Sequence, residues 1–180
     1  YPTRTELGLL LDAAAELQEA IGESRMLVEF GAGSAHKTPA LIKAIKPIRY
    51  VPIDVSGDFL RESSAELAHD FPDLEIEPIE ADFNRVVPLP HCPKRLSIIG
   101  FFAGSTIGNL TPYEATNLLR RMGDTLGEDA LLLIGMDRVK SLDVLLPAYD
   151  DAEGVTAAFN LNLLHRVNRQ LGCTIPVDAF

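Results

Sequence analysis

The sequence predicts an α/β protein, a mostly parallel twisted sheet with helices on both faces. Three observations carry this. Apolar runs of strand length alternate with segments whose apolar residues recur at helical spacing. The first strand opens into a glycine turn and then a helix, at Val28-Glu29-Phe30-Gly31-Ala32-Gly33-Ser34-Ala35-His36-Lys37-Thr38. Acidic residues, Asp54 and Asp82, follow the next two strands, at the sheet edge where folds of this kind receive ligands.

Pro2-Thr3-Arg4-Thr5-Glu6 leads into an amphipathic helix through Leu7, Leu10, Leu11, Ala14, Leu17 and Ile21, closed at Gly22. Thr3 and Glu6 have capping-box spacing. Arg25-Met26-Leu27-Val28 is the strand behind the glycine turn, and Leu41, Ile42 and Ile45 line one face of the helix ahead of it. Ile48 to Ile53 is the second strand, ended by Asp54, and Leu74 to Glu80 is the third, delivering Asp82-Phe83. Val87 to Pro93 is a loop, because Pro88, Pro90 and Pro93 exclude helix and ladder alike.

Arg95 to Phe102 is the most continuously apolar strand, as expected of a parallel strand covered on both faces. Its exit, Ala103-Gly104-Ser105-Thr106-Ile107-Gly108-Asn109-Leu110, puts compact polar groups and exposed backbone where a ligand would lie. The bland account is a capped loop entering a helix at Thr111-Pro112, and it suffices for Thr111. That helix runs through Leu118, Leu119, Met122 and Leu126, and the strand Ala130 to Met136 follows, ending at Asp137. A short helix over Leu142 to Leu146 precedes Ala148-Tyr149-Asp150-Asp151. Val155 to Leu171 reads as a long helix stopped by Gly172, with Asn160, Asn162 and Asn168 expected at a buried polar junction. The tail, Thr174 to Phe180, has no partner legible in the sequence.

The 180 residues suit a single domain, 1–180, and a net charge of −10 makes nucleic acid and anionic membranes poor partners. The two cysteines, Cys92 and Cys173, form no disulfide framework, which points to a reducing cytoplasm. His91 and Cys92 lack a second ligand pair, so no metal is expected. No apolar stretch approaches the ~20 residues of a membrane span, and no signal peptide is visible. The first residue is Tyr1 rather than Met, as expected of a chain trimmed, processed or cut from something larger.

The glycine turn narrows the cofactor. Gly31 and Gly33 let the backbone approach a ligand, and the helix beyond offers free N–H groups. A dinucleotide fold would place Gly or Ala at the sixth position of G-x-G-x-x-G, where this chain has His36. S-adenosylmethionine has no phosphate, and Lys37 could face its carboxylate. A plain strand–helix turn is the alternative. Asp54 lies 21 residues after Gly33, at the ribose-binding position of such folds, and the competing role is N-cap of the helix beginning near Ser56. The Asp82 carboxylate could accept from an adenine amino group while the Phe83 N–H donates to a ring nitrogen. Together these features favour a Rossmann-like class I methyltransferase over a dehydrogenase.

Four strings resemble one family: Tyr1-Pro2-Thr3-Arg4-Thr5-Glu6, Glu29-Phe30-Gly31-Ala32-Gly33-Ser34 with Lys37-Thr38, Gly104-Ser105-Thr106-Ile107-Gly108-Asn109, and Ala148-Tyr149-Asp150-Asp151 with Gly154 to Asn160. It is the histidine-specific, S-adenosylmethionine-dependent Nα-methyltransferase family of ergothioneine biosynthesis. The resemblance runs from Tyr1 to about Leu171. It implies cofactor contacts at Gly31, Lys37, Asp54, Asp82 and Phe83, and S-adenosylhomocysteine as product. It implies that Asn109 and Tyr149 hold the amino and carboxylate end of a small amino-acid substrate and serve the catalytic step. Thr106, in the loop of Asn109, joins the expected substrate-binding set, and Gly33 the cofactor set. Histidine as substrate rests on the resemblance alone. Fungal relatives methylate a tryptophan-derived amine, which is the alternative within the enzyme class. A non-catalytic S-adenosylmethionine-binding module is the alternative outside it, and Asn109 and Tyr149 argue against that.

Family members also have an N-terminal helical region and a later segment that recognises the imidazole. The chain is therefore expected to be a methyltransferase domain lacking flanking substrate-recognition segments. Methyl transfer to an amine is an in-line displacement, so the main work is holding a neutral amine about 3 Å from the methyl with its lone pair aligned. No side chain is expected to act as a covalent nucleophile.

Overall fold

In the computed structural model, residues 2–22, 25–33, 37–91 and 96–180 are described. They fall into two compact units, residues 1–137 and 138–180. The turn residues Ser34, Ala35 and His36, together with Tyr1, Cys92 and Arg95, lie outside the described residues.

The first unit is built on a parallel sheet. Strands β1 (Met26–Phe30), β2 (Arg49–Asp54), β3 (Glu75–Ile76), β4 (Ile79–Glu80), β5 (Ile98–Phe102) and β6 (Leu131–Ile134) pair in the order β3-β2-β1-β5-β6, with β4 also on β2. Every described pairing is parallel. The expected third strand is broken into β3 and β4 around Glu77-Pro78, where proline has no N–H for the ladder. Both pieces keep their register on β2, Glu75 opposite Arg49 and Ile79 opposite Ile53.

Period-two alternation sends the side chains of β1 to opposite faces. Leu27 packs with Leu41, Ile45, Tyr50, Ile99 and Phe101. Met26, Val28 and Phe30 pack with Val51, Ile53, Phe102 and Met122. Helices α1 (Pro2–Asp12), α2 (Ala14–Ile21) and α3 (Thr38–Ile45) cover the first face through Leu10, Ile21 and Leu41. The second face takes Leu118, Met122 and Leu126 of α5 (Pro112–Leu126). Helices thus lie on both faces, as the apolar strands require. The helix α4 (Gly57–Asp70) connects β2 to β3.

The expected single N-terminal helix is two helices, interrupted at Ala13, whose backbone sits at φ −87°, ψ 4°. It closes at Gly22 with φ 80°, a backbone that a side chain would strain. The side chain of Thr3, the other half of the anticipated capping box, lies outside the described residues, and the Glu6 carboxylate bonds Lys37 and the Gly104 amide. At the start of α5 a capping box does form. Thr111 Oγ1 accepts from Glu114 N, and the Glu114 carboxylate accepts from Thr111 N at 2.8 Å.

The second unit holds α6 (Leu142–Tyr149) and α7 (Val155–Leu171). The short helix runs three residues beyond its expected end, so Tyr149 lies in its last turn rather than in the following loop. The long helix has its expected bounds and meets Gly172 in the left-handed conformation. Of its three asparagines only Asn168 makes the anticipated polar junction. Its side chain donates to Ile175 O and accepts from Ile175 N, both at 2.8 Å. Asn160 and Asn162 are exposed. Ile175 is therefore the anchor of a tail that had no legible partner. No helix among the described residues is long and apolar enough to cross a membrane.

Candidate active site

From β1 the strand order runs one way through β2 and β3, and from β5 it runs the other way to β6. The crevice beyond the carboxyl ends of β1 and β5 is therefore the topological switch point, where open α/β sheets bind ligands. The glycine turn with Lys37 and the Gly104–Asn109 turn follow the two strands that border it, while Asp54 and Asp82-Phe83 follow β2 and β4 on the β1 side.

After β1 the chain turns at Gly31 (φ 72°) and Gly33 (φ 49°), conformations that favour glycine. Gly31 N and Ala32 N both donate to Ile53 O, at 2.8 and 3.2 Å, which lashes the turn to the end of β2. A Cβ on Gly31 would stand 3.3 Å from the Phe83 ring, a crowded contact that adds to the strain a side chain would meet at this φ. Asp54 is half-buried at the end of β2. Its Oδ2 accepts from Gly33 N at 3.1 Å and its Oδ1 from Ser56 N at 2.9 Å. The N-cap position of α4 is Ser56, so Asp54 is not that helix's cap. Its carboxylate instead joins the glycine turn to the α4 entrance.

Past β4, Asp82 is exposed and its Oδ1 accepts from the backbone N and the side-chain Nδ2 of Asn84, both at 2.9 Å. The Asn84 backbone bond is the main cause holding its carboxyl below the usual range, followed by the Asn84 side chain. Phe83 meets Phe30 edge-on at 6.4 Å between centroids and Phe102 at 5.8 Å. Its ring is thus a wall wedged between β1, β5 and the glycine turn.

Two acidic residues that the sequence reading left without a functional role stand beside these. Glu6, on α1, accepts from Lys37 Nζ at 2.5 Å, and Gly104 N lies 2.9 and 3.0 Å from its two oxygens. Glu29 lies inside β1, where all five residues are buried, and accepts from Thr38 Oγ1 at 2.7 Å and Tyr50 Oη at 2.5 Å. Burial pushes its carboxyl up to about 7, against the lowering effect of those hydroxyls and of nearby Lys37. Burial and the Glu29 charge push the Tyr50 hydroxyl upward as well. A charged residue in an otherwise apolar strand was the available signal for Glu29. Glu6 carried only its capping-box spacing.

After β5, Gly104 (φ 79°) and Ser105 (φ 56°) turn the chain into a short 3-10 helix over Thr106–Asn109. Ser105 Oγ accepts from Asp137 N at 2.9 Å, joining the exits of β5 and β6. Thr106 Oγ1 donates to Ala103 O at 3.2 Å. Asn109 is exposed at the end of this turn. In the second unit Tyr149 is 73% exposed, and Asp151 accepts from Val155 N at 2.9 Å and Thr156 N at 2.7 Å at the start of α7.

The structure thus gathers Gly31, Gly33, Lys37, Asp54, Phe83 and the Gly104–Asn109 turn at the carboxyl edge of one sheet, with Asp82 just beyond β4. It places Tyr149 in the other unit. Comparisons with known proteins identify the family. A family described as histidine-specific methyltransferase, SAM-dependent, matches residues 1–180. The chain is 42% identical over 185 residues to a histidine N-alpha-methyltransferase of Mycolicibacterium smegmatis, covering 100% of this chain and 56% of that protein. The corresponding protein of Mycobacterium tuberculosis is 37% identical with the same coverage. Ergothioneine biosynthesis protein 1 of Neurospora crassa is 27% identical over 99% of this chain and 21% of its own length. The chain spans about half the length of the two mycobacterial relatives. In fold it is similar to the mitomycin 7-O-methyltransferase MmcR, with a TM-score of 0.54 at 17% identity over 79% of this chain and 40% of that one. The N-methyltransferase NodS of Bradyrhizobium japonicum gives 0.52 at 16% identity, over 76% and 68%.

Proposed function

This chain belongs to the histidine-specific, SAM-dependent methyltransferase family, and we propose that it carries the cofactor-binding part of an enzyme that methylates the α-amine of L-histidine. One observation carries the reading. The glycine turn, Asp54 and Asp82-Phe83 follow β1, β2 and β4, the strands that run outward from the switch point of the sheet, in a chain that the family matches from end to end. The cradle suits a phosphate-free nucleoside: Gly31 leaves only backbone against the Phe83 ring, and the acceptors around it are carboxylates.

S-adenosylmethionine, when bound, supplies an electrophilic methyl group on a sulfonium. The chain's residues do the holding. Asp54 accepts from ribose hydroxyls while keeping its bonds to Gly33 and Ser56, since each carboxylate oxygen has a second lone pair. Asp82 accepts from the adenine amino group, and Phe83 N donates to the ring. Lys37 faces the carboxylate of the methionine end. Asn109, on a turn clamped at Ser105 and capped at Thr111, orients the substrate amine, with Thr106 beside it in the same turn. Tyr149 anchors the substrate carboxylate. Because the reaction needs a neutral amine aimed at the methyl, this positioning is the catalytic contribution of the chain.

Histidine is preferred over a tryptophan-derived amine because the two relatives at 42% and 37% identity are histidine N-alpha-methyltransferases. The test uses the full-length protein, S-adenosylmethionine and each amine in turn, with mass spectrometry of the products. Methylated histidine is the expected product, and in Asn109→Ala the histidine requirement rises sharply while cofactor affinity stays near its original value. Methylation of the tryptophan-derived amine alone would overturn the substrate. Loss of both affinities in Asn109→Ala would make that residue a loop support.

A further inference from the structure

The Lys37–Glu6 pair is the feature that the proposed chemistry leaves unexplained. It bridges the switch point itself: Lys37 follows the glycine turn after β1, and Gly104 N, the other donor to Glu6, follows β5. Both side chains are only 16% exposed. A pair this sheltered costs desolvation, and an apolar contact would pin α1 to the sheet with less penalty. A Cβ on Gly135 would stand 1.9 Å from Glu6 Oε1, although the Gly135 backbone has no positive φ that would itself require glycine.

A juxtaposed cation and anion at a ligand crevice is the complement of a zwitterion. Lys37 and Glu6 are held side by side, one a cationic hydrogen-bond donor and the other an anionic acceptor. The Gly104 amide also donates to both Glu6 oxygens, so the acceptor is oriented before any ligand arrives. We infer that Glu6 receives the α-ammonium of the cofactor's methionine end while Lys37 receives its carboxylate, the existing ion pair opening to admit the zwitterion between its two charges. This rests on S-adenosylmethionine being the cofactor. It makes Glu6 a cofactor-binding residue and ties α1 and the turn leading to Asn109 to cofactor occupancy.

Calorimetric titration of the 180-residue chain with three probes separates the possibilities. S-adenosylhomocysteine carries the whole amino-acid end, its deaminated analogue keeps only the carboxylate, and 5′-methylthioadenosine has neither. Glu6→Gln keeps an oxygen for the Gly104 amide but loses the charge. It should weaken S-adenosylhomocysteine by about tenfold or more, the range for a hydrogen bond to a charged group, and leave 5′-methylthioadenosine within about twofold. The deaminated analogue should bind Glu6→Gln as well as it binds the unaltered chain. Gly135→Ala, which keeps the carboxylate but pushes it aside, should show the same selective loss. Thermal denaturation checks that both variants are folded. Equal losses for S-adenosylhomocysteine and 5′-methylthioadenosine, or no loss for either, would overturn the role of Glu6. If the unaltered chain binds neither nucleoside, the cofactor reading itself falls.

Discussion

Single carboxylates set the character of this site, and they do so by different means. Asp54 is half-buried and doubly engaged, so it is oriented before any ligand arrives. Asp54→Ala should weaken S-adenosylhomocysteine binding by about 1.5–3 kcal/mol, the worth of hydrogen bonds to a charged group. Calorimetry that finds an unchanged affinity would remove Asp54 from the site. Tight NAD binding would overturn the cofactor. Glu29 works from beneath. Folding raises its carboxyl from 4.5 to about 7, so the folded state holds the proton more tightly than the unfolded one. The stability this gives is full below about pH 4.5 and is lost as pH rises through about 7. The loss amounts to about 3 kcal/mol by pH 8. Glu29→Gln, which can still accept from Thr38 and Tyr50, should show a flatter decline. Urea unfolding at pH 5 and pH 8 measures the difference, and equal slopes for the two proteins would show that Glu29 stays ionised.

At the scale of elements, legibility followed how local each signal was. The strands β1, β2, β5 and β6 announce themselves as apolar runs, and α7 as an apolar stripe ended by glycine. Asp151 is a comparable local device: Thr156, by side chain and backbone, and the Val155 amide hold its carboxyl down to about 2. Because folding lowers that pKa from 3.8, its support of α7 is present above about pH 3.8 and disappears as pH falls through about 2. Amide exchange at Val155 and Thr156 should therefore quicken below pH 3, and in Asp151→Asn it should be fast already at pH 6. Protection that survives the substitution would show that other contacts hold the first turn. The break at Ala13 was not legible, since Asp12-Ala13-Ala14-Ala15 suits a continuous helix. Glu6 was illegible for a related reason. Its spacing from Thr3 is a local signal, whereas its bonds to Lys37 and to an amide 98 residues away depend on the assembled sheet.

The two units of the molecule differ in how well they bury themselves. The first has a core on both faces of its sheet, with Leu27, Val28, Val51 and Ile53 fully enclosed. In the second, α6 and α7 bury no residue at all, and Leu142, Leu146, Phe159 and Leu163 are each at least 60% exposed. An apolar helix face left in water adds little to stability and favours association. Tyr149, the proposed anchor of the substrate carboxylate, stands on this second unit, whereas Asn109 stands on the first. Tyr149 sits on a helix that buries none of its own residues, so its hydroxyl is loosely held until that helix is covered, and a misplacement of about 1 Å can cost on the order of a hundredfold in rate. The 180-residue chain should therefore bind S-adenosylhomocysteine through its first unit, methylate histidine slowly or not at all, and self-associate. Light scattering reads the association. Mass spectrometry of histidine incubated with the chain and S-adenosylmethionine reads the transfer, and trimethylated product at the rate of the full-length protein would show that residues 1–180 hold the amine without further support.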